Sequence, residues 1–287
     1  QEEYWADSAD VLSSTSFNPT RAKVTPAKGG YKLGGRWDFS SGCDAAEWAM
    51  LGGVAAEGLR WFLVPRRDYT IEDTWFVSGL RGTGSKDIVI EEAFIPEYRA
   101  VNVADLRAGQ SPGRSIHGSC NYLIPHTTML SYTLAAPVLG MAQGAVDTFE
   151  EQVMGRVTYT TGDKLGENPS VHIRLSEAEA EVHCARLIMK YDGEEVFGQA
   201  RRGEMPSLSQ RARCRRNQAY MAKLAVRAVD RLFEASGGHV LFNSNPMQRF
   251  HRDAHAASHH FGIHWETQAE EYGRVRLGLE LKNPGRI

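Results

Sequence analysis

Ten histidines stand in 287 residues, and five of them, His251, His255, His259, His260 and His264, fall in one short stretch. Imidazole is the side chain that changes charge nearest neutral pH, so such a cluster offers proton transfer or metal ligation. A spacing of four places His251, His255 and His259 on one helical face, as a metal stripe would require. No H-E-x-x-H accompanies them, and no nearby carboxylate completes a ligand set from sequence, so the expectation is a polar helix with one functional histidine and no metal. A second chemically suggestive stretch is Trp37-Asp38-Phe39-Ser40-Ser41-Gly42, where two hydroxyls and a glycine follow large aromatics at the end of a strand-like alternation. Tyr31, Leu33, Trp37 and Phe39 share one face of that alternation. Small donors beside aromatics suit either an ordinary sheet corner or the edge of a flat polar ring. The run Gly79-Leu80-Arg81-Gly82-Thr83-Gly84-Ser85 is glycine-rich but matches neither a dinucleotide fingerprint nor a Walker loop, and reads as an exposed crossing between strands. G-x-S-x-G is absent, which argues against a serine hydrolase.

The elements that must hold these residues divide into two halves. Five of the six tryptophans lie in the first 75 residues, among glycine-rich turns and period-two alternation. A hairpin is predicted around Pro26-Ala27-Lys28-Gly29-Gly30, then strands over 47–56, 61–64 and 86–96, the last closed by Pro96. From about residue 130 the period becomes helical: Ala135, Val138, Leu139, Ala142, Ala145, Val146, Phe149 and Val153 form one apolar stripe. Further helices are predicted over 175–197, 211–235 (closed by Ser236-Gly237-Gly238) and from Pro246 to about His260. The fold class is therefore α+β, an antiparallel β domain over 1–115 followed by an antiparallel four-helix bundle over 116–287. Segment 100–125 is the expected link, with Arg114, His117, Asn121 and Tyr122 at a pocket rim.

Composition narrows the rest. At 42% hydrophobic and 24% charged with a net charge of −2, the chain carries no global positive field for nucleic acid or an acidic membrane. The basic run Arg211 to Arg216 reads as a solvated helix face. No uninterrupted apolar run reaches the roughly 20 residues of a membrane span. Four scattered cysteines without a C-x-x-C pair point to a reducing, cytoplasmic compartment. The chain opens on Gln-Glu-Glu-Tyr-Trp, as if upstream sequence were missing.

Taken in order, W-D-F-S-S-G, L-V-P-R, D-T-W-F-V-S-G-L-R-G-T-G-S, A-A-P-V-L-G-M-A-Q-G-A-V-D, the helix into G-G, and N-P-M-Q-R-F-H-R-D-A-H-A-A-S-H-H form a recognisable series. From about Leu12 to Gly278 the chain resembles the acyl-CoA dehydrogenase superfold. Within it, the chain is most similar to the oxygenase components of two-component flavin-dependent monooxygenases, the group of 4-hydroxyphenylacetate 3-hydroxylase and the steroid-phenol hydroxylase. The resemblance implies a helical N-terminal domain with no counterpart here. It implies reduced flavin (FMNH2 or FADH2) from a separate NAD(P)H:flavin reductase, a C4a-hydroperoxyflavin, an aromatic, phenolic substrate and a homotetramer. On single positions it implies Ser40, then Ser41, near the flavin N5, with Trp37 beside the ring, and Ser14 and Ser16 in a loop touching flavin or substrate. Arg156 would reach the flavin phosphate of a neighbouring subunit, and Gly237 and Gly238 would admit close backbone approach. Where acyl-CoA dehydrogenases often carry a catalytic glutamate after Arg-Asp, this chain runs Ala256 to Gly262 with no carboxylate. His260, with His259 second, would then help ionise a phenol or donate to a peroxide oxygen. An acyl-CoA dehydrogenase or a non-catalytic flavin-binding scaffold are the alternatives.

Overall fold

In the computed structural model all residues but Asp7, Tyr159 and Thr160 are described, together with the main chain but not the side chain of Arg286. The chain divides into two compact units, Gln1–Ala108 and Gly109–Ile287. Residues 109–115, which the sequence placed with the strands, group with the helices.

The first unit holds two four-stranded sheets. One has the order β1 (Ser13–Ser16), β4 (Trp48–Ala55), β5 (Gly58–Pro65), β8 (Ala100–Asn102); the other is β2 (Ala22–Ala27), β3 (Gly30–Ser40), β7 (Lys86–Pro96), β6 (Thr70–Glu72). Every pairing is antiparallel except β1 with β4, which is parallel. Alternation puts Leu33 and Trp37 of β3, Leu51 of β4, Phe62 of β5 and Ile88 of β7 into one shared core. The strands that sequence reasoning did not predict, β1, β6 and β8, are three or four residues long, too short for a periodic signal. The short helix α1 (Val103–Arg107), N-capped by Asn102, closes this unit.

The second unit is helical: α2 (His126–Leu130), α3 (Tyr132–Met154), α4 (Pro169–Arg201), α5 (Leu208–Ala235), α6 (Pro246–Ser258) and α7 (Trp265–Arg276). Asn245-Pro246 caps α6 as expected, while α4 and α5 begin earlier than the expected 175 and 211, on Asn168-Pro169 and on a full capping box at Ser207 and Gln210. The span His126–Met154 is long and apolar enough to cross a membrane by length and composition. Its apolar stripe, Ala135 to Val153, lies instead in the core that α3 shares with Met221, Ala225 and Val229 of α5. The helix α7 was not predicted, because its only buried positions are polar, Gln268 and Glu271. Glu271 takes hydrogen bonds from the main-chain N–H groups of Lys282 and Asn283, which ties down the C-terminal segment.

One buried polar knot joins α3, α4 and α5. Asp192, fully buried, accepts from the Tyr132 hydroxyl at 2.7 Å and the Asn217 amide at 2.8 Å, and pairs with Arg213 at 3.2 Å. Burial and the Asp192 charge push the Tyr132 phenol above its usual range, while burial pushes the nearby Cys214 thiol up to about 12. Both stay neutral hydrogen-bonding groups, and Arg213 bridges Asp192 to the carboxylate of Glu195. Removing Asp192 strands two buried donors, Tyr132 and Asn217, while Arg213 keeps its second partner Glu195, a change that costs about 3 kcal/mol. Asp192→Ala is therefore expected to lower the urea-unfolding free energy by about 3 kcal/mol, and Tyr132→Phe by about 1 kcal/mol. Equal midpoints for all three proteins would remove the knot from the stability of the bundle.

Candidate active site

In the β unit the chemistry gathers at the end of β3. The register against β7 shifts between Trp37 and Ser40, and Phe39 there has a φ of 58°. That bulge inverts the side-chain parity. Trp37 stays inside, Phe39 swings out to 64% exposure, and Ser40 takes the inward place. Phe39, expected on the buried face, is the outward residue of the corner.

Three residues expected at the site stand behind this corner. Trp37 is fully buried and its indole N–H donates to the Gly52 carbonyl at 2.7 Å, so it supports the corner from behind and has no ring-facing surface. Ser40 is buried and donates to the Ser14 hydroxyl at 3.1 Å. Ser16, expected to be catalytic, is buried on β1 and donates to the Asp38 carbonyl at 2.6 Å, which pins β1 to β3. Its hydroxyl proton is thereby engaged.

Ser41 is exposed and shares a 2.7 Å hydrogen bond with Ser85, which shares another of 2.7 Å with Thr83. The Gly42 N–H donates to the Thr83 carbonyl at 2.8 Å, fastening the corner to the glycine-rich loop. Trp75 lies edge-on to Phe39 at 6.0 Å, and its indole N–H donates to the Leu80 carbonyl at 2.9 Å. Among the described residues Phe39 and Leu80 are the two non-glycines with positive φ, and Trp75 touches both. Such backbone strain costs of order 1–3 kcal/mol per residue and collects at ligand clamps. An exposed aromatic edge beside a row of hydroxyls suits a flat heteroaromatic ring. Phe39 was missed as an outward residue because a bulge leaves no trace in a hydropathy pattern, and Trp75 because its segment has no regular period.

In the helical unit, His260 follows α6 and caps the short turn Phe261–Ile263. Its Nδ1 accepts from the Gly262 N–H at 3.0 Å, so the neutral ring carries its proton on Nε2. Inside it lies Arg215, buried on α5, which donates to Ser131 and, at 3.0 Å, to Gln218. Crowding on the ring's inner side, then the Arg215 charge, hold the imidazole below the usual 6.5, although the residue keeps an exposed edge. His260 is thus a neutral hydrogen-bond donor at neutral pH. His259, at the end of α6 and exposed, is bonded the other way: its Nδ1 faces the His255 carbonyl at 2.8 Å and must donate, so the neutral form of this ring has its lone pair on Nε2. The histidine stripe does not converge. His251 and His255 meet Asp230, at 3.3 and 2.7 Å, while His259 turns to the main chain.

The structure brings Arg156 and the glycine pair together. Arg156, just beyond α3, donates to the Ser236 carbonyl at 2.7 Å. Gly237 follows at φ 70°, and a Cβ there would stand 3.6 Å from the Arg156 Nη2. Gly237 and Gly238 are exposed, so a guanidinium fork and bare backbone share one patch, a fit for a phosphate or pyrophosphate. At the expected rim, His117 stacks on Tyr122 at 5.5 Å and Arg114 donates to the Gly109 carbonyl at 3.2 Å.

A β unit followed by this helical bundle defines the acyl-CoA dehydrogenase fold, and residues 132–265 match the acyl-CoA dehydrogenase C-terminal domain family. The oxygenase subunit HsaA, a flavin-dependent monooxygenase of Rhodococcus jostii, is 36% identical over 98% of this chain and 75% of its own length. The oxygenase component of the FADH2-dependent resorcinol hydroxylase of a Rhizobium species is 34% identical over 98% of the chain and 72% of its own. Among solved structures, the 3-HSA hydroxylase of Rhodococcus sp. RHA1 superposes with a TM-score of 0.93 at 34% identity, covering 100% of this chain and 75% of that one. XiaF of a Streptomyces species, solved with FADH2 and glycerol, gives 0.90 at 25% identity over 99% and 73%. The chain belongs to the oxygenase components of the flavin-dependent monooxygenases. Its cofactor is a flavin.

The lowered pKa of His260 has a measurable consequence. A base whose folded pKa lies below its unfolded value binds fewer protons when folded, so this group opposes folding only as pH falls below the unfolded value near 6.5. In an NMR titration the His260 ring is expected to protonate with a midpoint below 6.5, and Arg215→Met to raise that midpoint. A wild-type midpoint above 6.5, or one indifferent to the arginine, would contradict the site as described.

Proposed function

We propose that this chain hydroxylates a phenolic ring, using dioxygen and reduced flavin delivered by a separate NAD(P)H-dependent reductase. The observation that carries the reading is the neutral, Nε2-protonated His260 in a stretch, 254–264, that contains no carboxylate. Abstraction of a proton from a thioester substrate needs a carboxylate base at that place. A neutral imidazole instead donates a hydrogen bond to a phenolic or oxygen-derived atom, and the lone pair of His259 can accept a proton. The relatives named as resorcinol hydroxylase and, at 31% identity, p-hydroxyphenylacetate 3-hydroxylase of Acinetobacter baumannii act on phenols, which supports the substrate class.

Bound reduced flavin supplies the two electrons that activate dioxygen. In this proposal the Phe39–Trp75 edge receives the flat ring, the exposed Ser41 hydroxyl bonds to its polar rim, and Trp37, Ser40 and Ser16 hold the corner rigid from within. Arg156 with Gly237 and Gly238 grips the phosphate end of a flavin whose ring is held by a neighbouring subunit. A homotetramer belongs to the same proposal, supported by the exposed Met154, Leu241, Phe242 and Phe261 of the helical unit. Cytoplasmic residence is supported by four free cysteines.

The protein, a flavin reductase, NADH and either resorcinol or 4-hydroxyphenylacetate test the reading. Hydroxylated product is expected only when all components are present, and His260→Ala is expected to cut product per flavin oxidised by about a hundredfold. Reduction of the flavin by an acyl-CoA without any reductase would overturn the assignment in favour of a dehydrogenase. Arg156→Met is expected to weaken flavin binding about tenfold while leaving product per bound flavin unchanged. Loss of coupling with intact affinity would remove Arg156 from the phosphate grip.

A further inference from the structure

Asp230 on α5 and His251 and His255 on α6 bring three ligand-type atoms within 4.8 Å of one another. The two imidazoles are one helical turn apart, and both present Nε2 to the same carboxylate oxygen, His255 at 2.7 Å and His251 at 3.3 Å. Ligands about 2.0 Å from a tetrahedral ion stand about 3.3 Å from each other, so a modest side-chain adjustment would let the three atoms surround one. The rings are 4.5 Å apart, and His251 is further fixed by stacking on Phe233 at 4.1 Å. All three residues are only partly buried, and Asp230 also lines an open groove with Ser170, Arg174, Arg227 and Glu234. A fourth coordination position therefore opens to water.

We propose that Asp230, His251 and His255 form a site for one borderline divalent cation of the zinc class, which clips α6 to α5. Two imidazoles and one carboxylate suit zinc or a neighbouring first-row metal, whereas calcium and magnesium take oxygen donors. The clip sits one turn before the end of α6 that leads into His259 and His260, so the metal would steady that end of the helix. The alternative is a plain hydrogen-bonded triad in which both imidazoles donate to Asp230 and no ion is needed.

The test is a titration of the chelator-stripped full chain with Zn2+ by calorimetry and with Co2+ by visible absorption. One equivalent of Zn2+ is expected, with a raised melting temperature and the visible bands of a four- or five-coordinate cobalt ion. Asp230→Asn, which keeps the shape of the side chain, and His255→Gln are each expected to weaken Zn2+ binding by more than about tenfold. His183→Gln, an exposed histidine on α4, should leave it unchanged. Absence of binding in the parent chain, or equal affinity in the Asp230 and His255 variants, would show the hydrogen-bonded triad and overturn the metal site.

Discussion

The hydrogen bond from the Gly262 N–H to His260 Nδ1 sets what this end of the bundle can do. It occupies the Nδ1 lone pair with a main-chain donor and so assigns the ring proton to Nε2. Arg215, held by Ser131 and Gln218, adds a positive charge that disfavours the imidazolium. The glycine is part of the device, because a Cβ at 262 would come within 2.9 Å of both Leu134 and Ser131. Local turn geometry, a buried cation and a tight approach thus combine to keep one histidine neutral and aimed. The adjacent His259, bonded the other way, is its chemical complement.

The β unit solves a different problem by similar means. A ring-binding corner needs an aromatic turned outward without opening the core behind it. The bulge in β3 does both: Phe39 leaves the core face, Ser40 replaces it, and Trp37 seals the interior through Gly52. The small hydroxyl at the inward place is then satisfied by Ser14. Strain at Phe39 and Leu80 is held by Trp75, by the Gly42–Thr83 hydrogen bond and by the Ser41–Ser85–Thr83 hydroxyl row. Each of these contacts is made by residues that look unremarkable one at a time.

Much of the architecture was legible in the sequence because its signals are periodic and long. The α3 stripe from Ala135 to Val153 and the β7 run from Lys86 to Pro96 appear as expected, and the Asn245-Pro246 cap stands where α6 begins. What was not legible depends on single events with no period. The β3 bulge exchanged the faces of Phe39 and Ser40, and the three short strands and the polar-faced α7 carried no pattern. The ordered motifs pointed to the family. The tautomers of His259 and His260, and the meeting of Asp230 with two histidines some twenty residues away, required three dimensions.

The most direct measurement is the tautomer of His260, read from the nitrogen-15 shifts and long-range couplings of its ring at neutral pH. The account predicts a neutral ring with its proton on Nε2 in the parent chain. A proton on Nδ1, or an imidazolium at that pH, would contradict it.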